Sequence, residues 1–310
     1  MELDKQVVES LIVEPVIDEQ NDVTLDDTHL NNTNVSSANL SIIHEDIDFS
    51  LYSLLQLAAM AESEITEQSI AEFQDSLRLQ MIVIKSQFNN DTLQDIDKLK
   101  KLLNNVYDKQ GFSGDWKAFF KVKNVLISKV LKRRKGVPIS LGILLIDMLK
   151  ETGFDANGIC FPSGFIVKTE LNGESIYIDP FNGDIVTTAQ LELKVRGQLG
   201  NHARLTPDML EIDSNEIIIK RYVNVLKASY IQADNIELAL LCSDILLRLD
   251  PEDAYEVRDR GFLFQQLDCF QLACNDFTYF IEQCPKDPIV SLFQQQIKHM
   301  NKEQITQTIH

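Results

Sequence analysis

Three side chains in the middle of the chain are of the types that carry out acyl transfer or amide hydrolysis. Cys160 would supply a thiolate nucleophile, His202 a general base, and Asp179 a carboxylate that orients the imidazole. Cys160 also lies between Ile159 and Phe161, which is typical of a small residue in a buried strand. The residue types therefore permit a cysteine-dependent enzyme without establishing one.

The other two residues have equally ordinary interpretations. His202 is in the sequence GNHARL, which is typical of a surface loop, and it is the one histidine between residues 45 and 298. Asp179 precedes Pro180, and an Asp-Pro pair after a strand is a common turn in which the carboxylate binds nearby backbone. His202 is thus the sole candidate base.

Three segments, taken in their order along the chain, bear on whether this protein is an enzyme. The sequence GVPISLGILLIDML at 136–149 is followed by CFPSGF at 160–165 and YIDPFNGD at 177–184. This set resembles the SirB family, bacterial proteins that are similar to transglutaminases and end in tetratricopeptide repeats. The resemblance implies a papain-like core, in which a Cys opens the buried helix, a His lies on a following strand and an Asp or Asn lies on the next. It covers the chain from about Gly111 to about Arg196 and resumes in the C-terminal repeats.

The resemblance implies that the catalytic side chains are missing. Pro138 matches the nucleophile position, and Gly164 matches the His of the family phrase FPGHF. Asp179 matches the acidic member, which then has no imidazole to orient. What remains is a relict cleft, expected to bind a partner and to be lined by Pro138, Ser140, Phe161, Gly164 and Asp179. Ser140 is also a candidate cap for the apolar helix.

The first 46 residues differ in composition from the rest. They contain eleven acidic residues and one basic residue, with apolar islands at residues 11–13 and 42–43. This composition predicts a mobile tail, whose islands are candidates for docking motifs or for segments that fold back onto the body.

The following part of the chain, 47–200, is predicted to form an α+β unit. Apolar residues at helical spacing predict an N-terminal helical lobe with helices over 49–61, 69–79, 81–88 and 92–107, the last capped by Asp91 or Thr92. The core then has the buried helix ending at Thr152, short strands over 158–161, 165–169 and 175–178, an Asn172-Gly173 hairpin turn, and a helix capped by Thr187 and Gln190. Helices, a small antiparallel meander and further helices define the fold class.

A basic helix is predicted over about 119–134. Its cations are Lys121, Lys123, Lys129, Lys132, Arg133 and Arg134, with Lys135 following. Several complement the helix macrodipole, so solvated or internally paired charge is the main interpretation, ahead of an anionic protein partner and of nucleic acid.

The C-terminal part contains an internal repeat of 34 residues. Tyr230, Ala239 and Pro251 recur as Phe264, Ala273 and Pro285, and Lys227 aligns with Gly261. This period is that of tetratricopeptide repeats. We expect a linker over 201–215, then two repeats and a capping helix over 216–302. Two repeats alone are too few to bury a continuous core, so a cap or the preceding domain must cover them.

Composition also limits the classes of function and location that fit the chain. A formal charge of −18 disfavours broad contact with nucleic acid or an anionic membrane. The start has no signal-peptide pattern, and the odd number of cysteines, five, without CxxC pairs, is typical of reduced thiols, so we expect a cytoplasmic protein. The sequence contains neither a metal-ligand cluster nor a phosphate-binding loop, and we predict no cofactor.

These observations favour a non-catalytic adaptor protein. Tetratricopeptide repeats present surfaces that bind extended or helical protein segments, so a protein or peptide partner is expected at the repeats. The resemblance also suggests a regulatory role. The alternative is a cysteine-dependent enzyme of acyl transfer or amide hydrolysis that uses Cys160, His202 and Asp179.

Overall fold

The computed structural model describes residues 47–66, 75, 79, 82, 96–162 and 164–308, with the side chains of 302–308 excepted. The predicted acidic tail over 1–46 lies outside these residues. So do the candidate caps Asp91 and Thr92 and nearly all of the predicted helices over 69–79 and 81–88.

The helical lobe contains two described helices before the core. A short 3-10 helix, Phe49–Leu51, leads into α1, Leu54–Thr66, and α2 is Ile96–Asn104, which continues into a π-helical turn, Asn105–Lys109. Apolar residues of α1 recur at helical spacing, and Leu57, Ala58 and Ala61 are fully buried. The lobe therefore packs on the core through one continuous apolar face.

The basic segment forms two short helices instead of the single predicted helix. α3 is Val122–Val125 and α4 is Ile127–Arg133, and Leu126 between them has an extended ψ of 115°. Asn124 and Val125 are buried at the break, where the carbonyl of Asn124 accepts the N–H of Val137. The prediction of one helix over 119–134 was wrong because this long-range backbone contact interrupts the periodic pattern.

The core helix α5 is Pro138–Glu151, and ten of its fourteen residues are buried. Proline occupies its first turn. A backbone N–H at this position would have no intrahelical acceptor, so proline costs the helix no hydrogen bond. A β-carbon on Gly142 would lie 2.3 Å from the ring of Phe165, so glycine lets this ring approach the helix. The helix thus packs directly against the residue that precedes a strand of the main sheet.

Two sheets accompany this helix. In the smaller one, β1, Ser113–Gly114, pairs in parallel with β2, Lys135–Gly136, and a 3-10 helix, Trp116–Ala118, follows β1. The strands of the main sheet are β3, Ala156–Ile159; β4, Ile166–Leu171; β5, Glu174–Asp179; and β6, Asp184–Val186. They form an antiparallel meander in the order β3-β4-β5-β6. Asn172 and Gly173 both have positive φ, 54° and 82°, as an Asn-Gly hairpin turn requires.

The sequence pattern did not predict β6, which is too short to show a period. The helix after it, α6, is Thr188–Leu199, and it has the predicted capping box of Thr187 and Gln190. A 3-10 helix, Asp208–Leu210, then precedes the C-terminal helices.

Five helices form the C-terminal part. They are α7, Asn215–Gln232; α8, Ile236–Leu249; α9, Ala254–Gln266; α10, Phe270–Gln283; and α11, Val290–Thr308. Tyr230 and Ala239 of the first pair, and Ala273 of the second, are buried where the paired helices meet, whereas Pro251 and Pro285 are exposed after each pair. The repeat period predicted this arrangement.

Both ends of the repeat array are covered. On one side, Ile219, Tyr222 and Leu226 of α7 belong to the same buried apolar cluster as α1 and α5. On the other, Phe293 of α11 stacks on Phe277 of α10 with ring centroids 4.7 Å apart. The core and the final helix therefore together provide the cover that two repeats lack.

The two repeats fill the space between their paired helices with different residues. A β-carbon on Gly261 would lie 2.7 Å from the ring of Phe277, so only glycine fits there. In the first repeat the corresponding residues are Lys227 and Ser243, each 34 positions earlier. The buried ammonium of Lys227 lies 2.5 Å from Oε2 of Glu256. The other carboxylate oxygen, Oε1, accepts a hydrogen bond from the hydroxyl of Ser243 at 2.5 Å. A small residue at 243 thus makes room for an internal ion pair.

The fold class is the predicted one, an α+β core with a small antiparallel sheet followed by helical repeats. The segment 201–215 makes specific contacts with the core: the N–H of Asp213 donates to the carbonyl of Gly158 at 3.1 Å, and its carboxylate accepts the N–H of Cys160 at 2.6 Å. Its description as a linker, and the domain limits with it, stays a prediction.

Candidate functional site

Pro138 and Gly164, the residues matched to nucleophile and base, lie against each other. A β-carbon on Gly164 would be 3.7 Å from Cγ of Pro138, which is ordinary van der Waals contact. Pro138 begins α5, and Gly164 lies in the turn between β3 and β4 with φ at +147°. Both residues are half-buried. The fold therefore brings the two positions together, and neither side chain can attack a substrate or accept a proton.

Asp179 ends β5 and is engaged by neighbouring parts of the chain. Its Oδ1 accepts the N–H of Phe181 at 2.9 Å, and its Oδ2 lies 2.7 Å from Nζ of Lys194 on α6. The carboxylate thus fixes the turn after β5, as the Asp-Pro pair predicts, and binds α6 to that turn. Sequence reasoning missed Lys194, because its contact depends on how α6 packs.

The side chains of Ser140 and Phe161, which were expected to line the relict cleft, are inaccessible. Both are fully buried, with 0% exposure. The hydroxyl of Ser140 donates to the carbonyl of Val125 at 2.5 Å, so the interpretation of Ser140 as a helix cap was wrong. Phe161 packs in a separate apolar cluster with Ile159 of β3 and with residues of β4, β6 and α6. Their expected place in the lining of the cleft was therefore wrong, because both are occupied by internal packing and hydrogen bonding.

Cys160 and His202, the residues of the enzyme alternative, differ in exposure. Cys160 is half-buried, and its backbone N–H is held by Asp213. His202 is exposed in the turn that follows α6. Cys160 takes part in no disulfide, and neither do the other four cysteines.

The turn after Asp179 also borders an open pocket of about 360 Å³. Its wall includes Lys100, Leu103 and Tyr107 from the helical lobe and Asn182, Gly183 and Asp184 from the turn. The hydroxyl of Tyr107 donates to the carbonyl of Pro180 at 2.7 Å, and burial, together with the charge of Asp179, raises the pKa of Tyr107 well above its ordinary value. Pro138 and Gly164 are not among the residues of this wall.

Within the part of the chain that the structure describes, no helix is long and apolar enough to span a membrane. The same residues include no group of three or more His, Cys, Asp and Glu side chains placed to hold a metal ion.

The fold is that of a transglutaminase-like core joined to tetratricopeptide repeats. The model of the transglutaminase-like superfamily matches residues 53–224, and a tetratricopeptide repeat model matches residues 226–298. The boundary between the two matches falls inside α7, in accordance with the shared core that this helix forms. Together with the relatives below, these matches show that the chain belongs to the SirB family.

Curated relatives come from several bacteria. A UPF0162 protein of Vibrio cholerae is 42% identical over 207 residues, which are 66% of this chain and 77% of that protein. Protein SirB1 of Salmonella typhimurium is 36% identical over 211 residues, 67% of this chain and 78% of its own length. A UPF0162 protein of Buchnera aphidicola is 32% identical over 265 residues, 83% of this chain and 96% of its own length. No solved structure matches the chain.

Proposed function

We propose that this protein is a non-catalytic adaptor, in which the transglutaminase-like core and the repeats bind other protein segments and in which the core's cleft has a recognition role. The observation that carries this proposal is the close approach of Pro138 to Gly164, together with the pairing of the Asp179 carboxylate with Lys194. Of the three residues matched to a triad, Pro138 and Gly164 have no chemistry for acyl transfer. We further propose a cytoplasmic location and a regulatory role.

Support for partner binding comes from exposed apolar side chains on the repeats. Leu241, Leu272 and Leu292 are between 41% and 54% exposed, on three different helices of the C-terminal part. Single exposed leucines are common on protein surfaces, and these three on helices of the repeat region are candidate contacts for a partner. The partner that fits such a surface is a helical or extended protein segment with apolar side chains.

The experiment compares variants of the tagged full-length chain expressed in a bacterial strain that lacks the endogenous gene. Proteins that co-purify are quantified by mass spectrometry for the wild type, Leu272→Glu and Leu292→Glu, and for Cys160→Ser. The matched control is Leu193→Glu, which alters a more exposed leucine, 64%, on α6 outside the repeats. We expect defined partners that the repeat variants lose and that Cys160→Ser and Leu193→Glu retain.

The cleft is tested separately with Pro138→Glu. A carboxylate at the first position of α5 is favourable for the helix, and it fills the space against Gly164. Replacing Gly164 itself is a poor test, because its φ of +147° strains any other residue. If Pro138→Glu folds normally and keeps every partner, the cleft has no recognition role and binding belongs to the repeats.

The adaptor proposal fails if no protein co-purifies with the wild type and Leu193→Glu while being lost from the repeat variants. It also fails if Cys160→Ser, rather than the repeat variants, abolishes the cellular effect of the gene and causes one substrate protein to accumulate. That second result would support the enzyme alternative.

A further inference from the structure

The most exposed aromatic residue of the described chain lies beside the turn that follows β5. Trp116 is 76% exposed, in the 3-10 helix that follows β1. Its ring lies on Phe181, in the turn that Asp179 fixes, with centroids 4.2 Å apart. The neighbouring Asp115 donates its N–H to the carbonyl of Gly136, two residues before Pro138. Trp116 therefore stands between the Asp179 turn and the start of α5.

Packing explains why Phe181 is buried but not why Trp116 is exposed. A β-carbon on Gly114 would lie 2.1 Å from the Phe181 ring, so glycine is required for that ring to reach the core. Phe119 and Phe120 extend the aromatic surface, with ring centroids 6.4 Å from Trp116 to Phe119 and 5.1 Å between the two phenylalanines. A large exposed indole next to further aromatic rings is a common feature of binding surfaces.

Basic residues surround this aromatic surface. Lys117 and Lys121 are exposed within five positions of Trp116, and Lys135 is exposed opposite Ser113 in the short parallel ladder. In the described part of the chain, none of these three ammonium groups lies in an ion pair. By contrast, Arg133 and Arg134 are held internally, by Asn124 and Gln110. We call Trp116, Lys117, Phe119, Phe120 and Lys121 the Trp116 patch.

The chain itself contains a segment of complementary chemistry. Residues 9–19, ESLIVEPVIDE, combine Glu9, Glu14, Asp18 and Glu19 with five aliphatic side chains and no basic residue. Apolar side chains between carboxylates are what an aromatic surface edged by lysines accommodates. At its full extension the chain between residue 19 and residue 47 spans about 90 Å, so its length permits contact with any face of the protein.

Charge favours this segment over a separate acidic protein. Residues 1–46 carry a formal charge of −10, and residues 47–310 still carry −8. A separate acidic partner would approach a body of like net charge, whereas a covalently attached segment is already at high effective concentration.

We propose that residues 9–19 bind intramolecularly to the Trp116 patch, with the aliphatic side chains against the indole and the carboxylates beside Lys117 and Lys121. This contact is independent of the proposed adaptor function.

The test uses the fact that Trp116 is the only tryptophan in the chain. Quenching of its fluorescence by acrylamide, a neutral quencher, measures its accessibility in the full-length protein. The test variant replaces Glu9, Glu14 and Glu19 with Gln and Asp18 with Asn. A matched control neutralises four other acidic residues of the same tail, through Asp22→Asn, Asp26→Asn, Asp27→Asn and Glu45→Gln. A third variant, Lys117→Gln with Lys121→Gln, alters the patch.

We expect the quenching constant in dilute buffer to be about two-fold higher for the test variant and the lysine variant than for the wild type, since covered indoles are poorly accessible. The matched control should behave as the wild type. At about 1 M salt, where charges are screened beyond about 3 Å, the wild type should approach the test variant. A synthetic peptide of residues 7–21 should restore protection to the test variant and not to the lysine variant.

Equal quenching of the wild type and the test variant in dilute buffer would overturn the proposal, whether Trp116 is open or covered by something else. Protection that increases with protein concentration would place the segment on a second copy and would also overturn it. None of these outcomes depends on whether the protein is an adaptor, because no external partner is present in the measurement.

Discussion

The ammonium group of Lys194 lies 2.7 Å from Oδ2 of Asp179, while Oδ1 of the same carboxylate accepts the N–H of Phe181. Asp179 is 9% exposed, and the Lys194 side chain is 39% exposed. The residue matched to the acidic member of a triad therefore serves as a structural link between the turn after β5 and α6.

Replacing Lys194 with Gln should lower the free energy of unfolding by about 1 kcal/mol, because a largely buried carboxylate loses its cation while the half-exposed ammonium limits the gain from the pair. Urea unfolding followed by circular dichroism measures this difference. Lys135→Gln is the control, since Lys135 is exposed. Equal stability of both variants would mean that the pair contributes nothing and that the turn is fixed by backbone contacts alone.

A side chain at Gly164 should destabilise the protein even though space is available. The nearest atoms to a β-carbon there are Cγ and Cβ of Pro138, at 3.7 and 3.8 Å, so the obstacle is the backbone, with φ at +147°. Gly164→Ala should cost about 1–3 kcal/mol of unfolding free energy. Gly197→Ala is the matched control, because Gly197 lies in α6 with open space around it, and helix propensity should make that variant more stable by about 0.5–1 kcal/mol.

If Gly164→Ala is as stable as the wild type in chemical denaturation, the turn adopts another conformation without cost. The positive φ of Gly164 would then not be a requirement of the fold.

Local sequence signals predicted much of this fold. The capping pair Thr187 and Gln190, the Asn172-Gly173 turn and the 34-residue repeat depend on contacts within a few residues or on a regular period, which a sequence displays directly. The break at Leu126 and the short strand β6 depend on pairing with distant residues, so periodicity could not reveal them.

Three motifs that resemble the SirB family indicated Pro138, Gly164 and Asp179 as candidate site residues, and their role in a site stays a prediction. The partner Lys194, the burial of Ser140 and Phe161, and the exposure of Trp116 follow from how α6, α5 and the turn after β1 pack, which no local pattern encodes. Residue type alone likewise suggested a cap at Ser140, where the structure has a hydroxyl bound to a distant carbonyl.

A buried carboxylate joins the helical lobe to the rest of the protein. Glu62 of α1 is 3% exposed, accepts the N–H of Ser128 at 3.2 Å and accepts the hydroxyl of Tyr222 at 3.3 Å. Burial raises the pKa of Glu62, and the hydrogen bonds from Ser128 and Tyr222 only partly offset that effect. The protonated form is therefore favoured in the folded state relative to the unfolded state.

Because the folded protein binds this proton more tightly, the contribution of Glu62 to stability falls as the pH rises from the unfolded pKa through the folded one. Glu62→Gln keeps an acceptor for Ser128 and Tyr222 without the charge. We expect the variant to be the more stable protein at pH 7.5, with the advantage shrinking toward pH 4. Paired urea unfolding curves across this range measure the difference, and an advantage independent of pH would contradict the assigned titration.

The internal ion pair of the first repeat gives the last prediction. Burial opposes the charge of Lys227, but the carboxylates of Glu256 and Asp259, 2.5 and 3.5 Å from its Nζ, outweigh that effect and raise the pKa of Lys227. Lys227→Met leaves buried carboxylates without their cation, and it should cost about 3–5 kcal/mol. Adding Glu256→Gln removes one of the stranded charges, so the double variant should be more stable than Lys227→Met alone.

A double-mutant cycle by urea unfolding measures the coupling between Lys227 and Glu256. Arg248→Met is the control, because it removes a cation from α8 whose own carboxylate partner, Glu64, lies outside this group. The costs of Arg248→Met and Glu256→Gln should simply add. Additive costs for Lys227→Met and Glu256→Gln would mean that the two residues do not act as a pair. The first repeat would then owe its packing to the small side chain of Ser243 and not to the charges it accommodates.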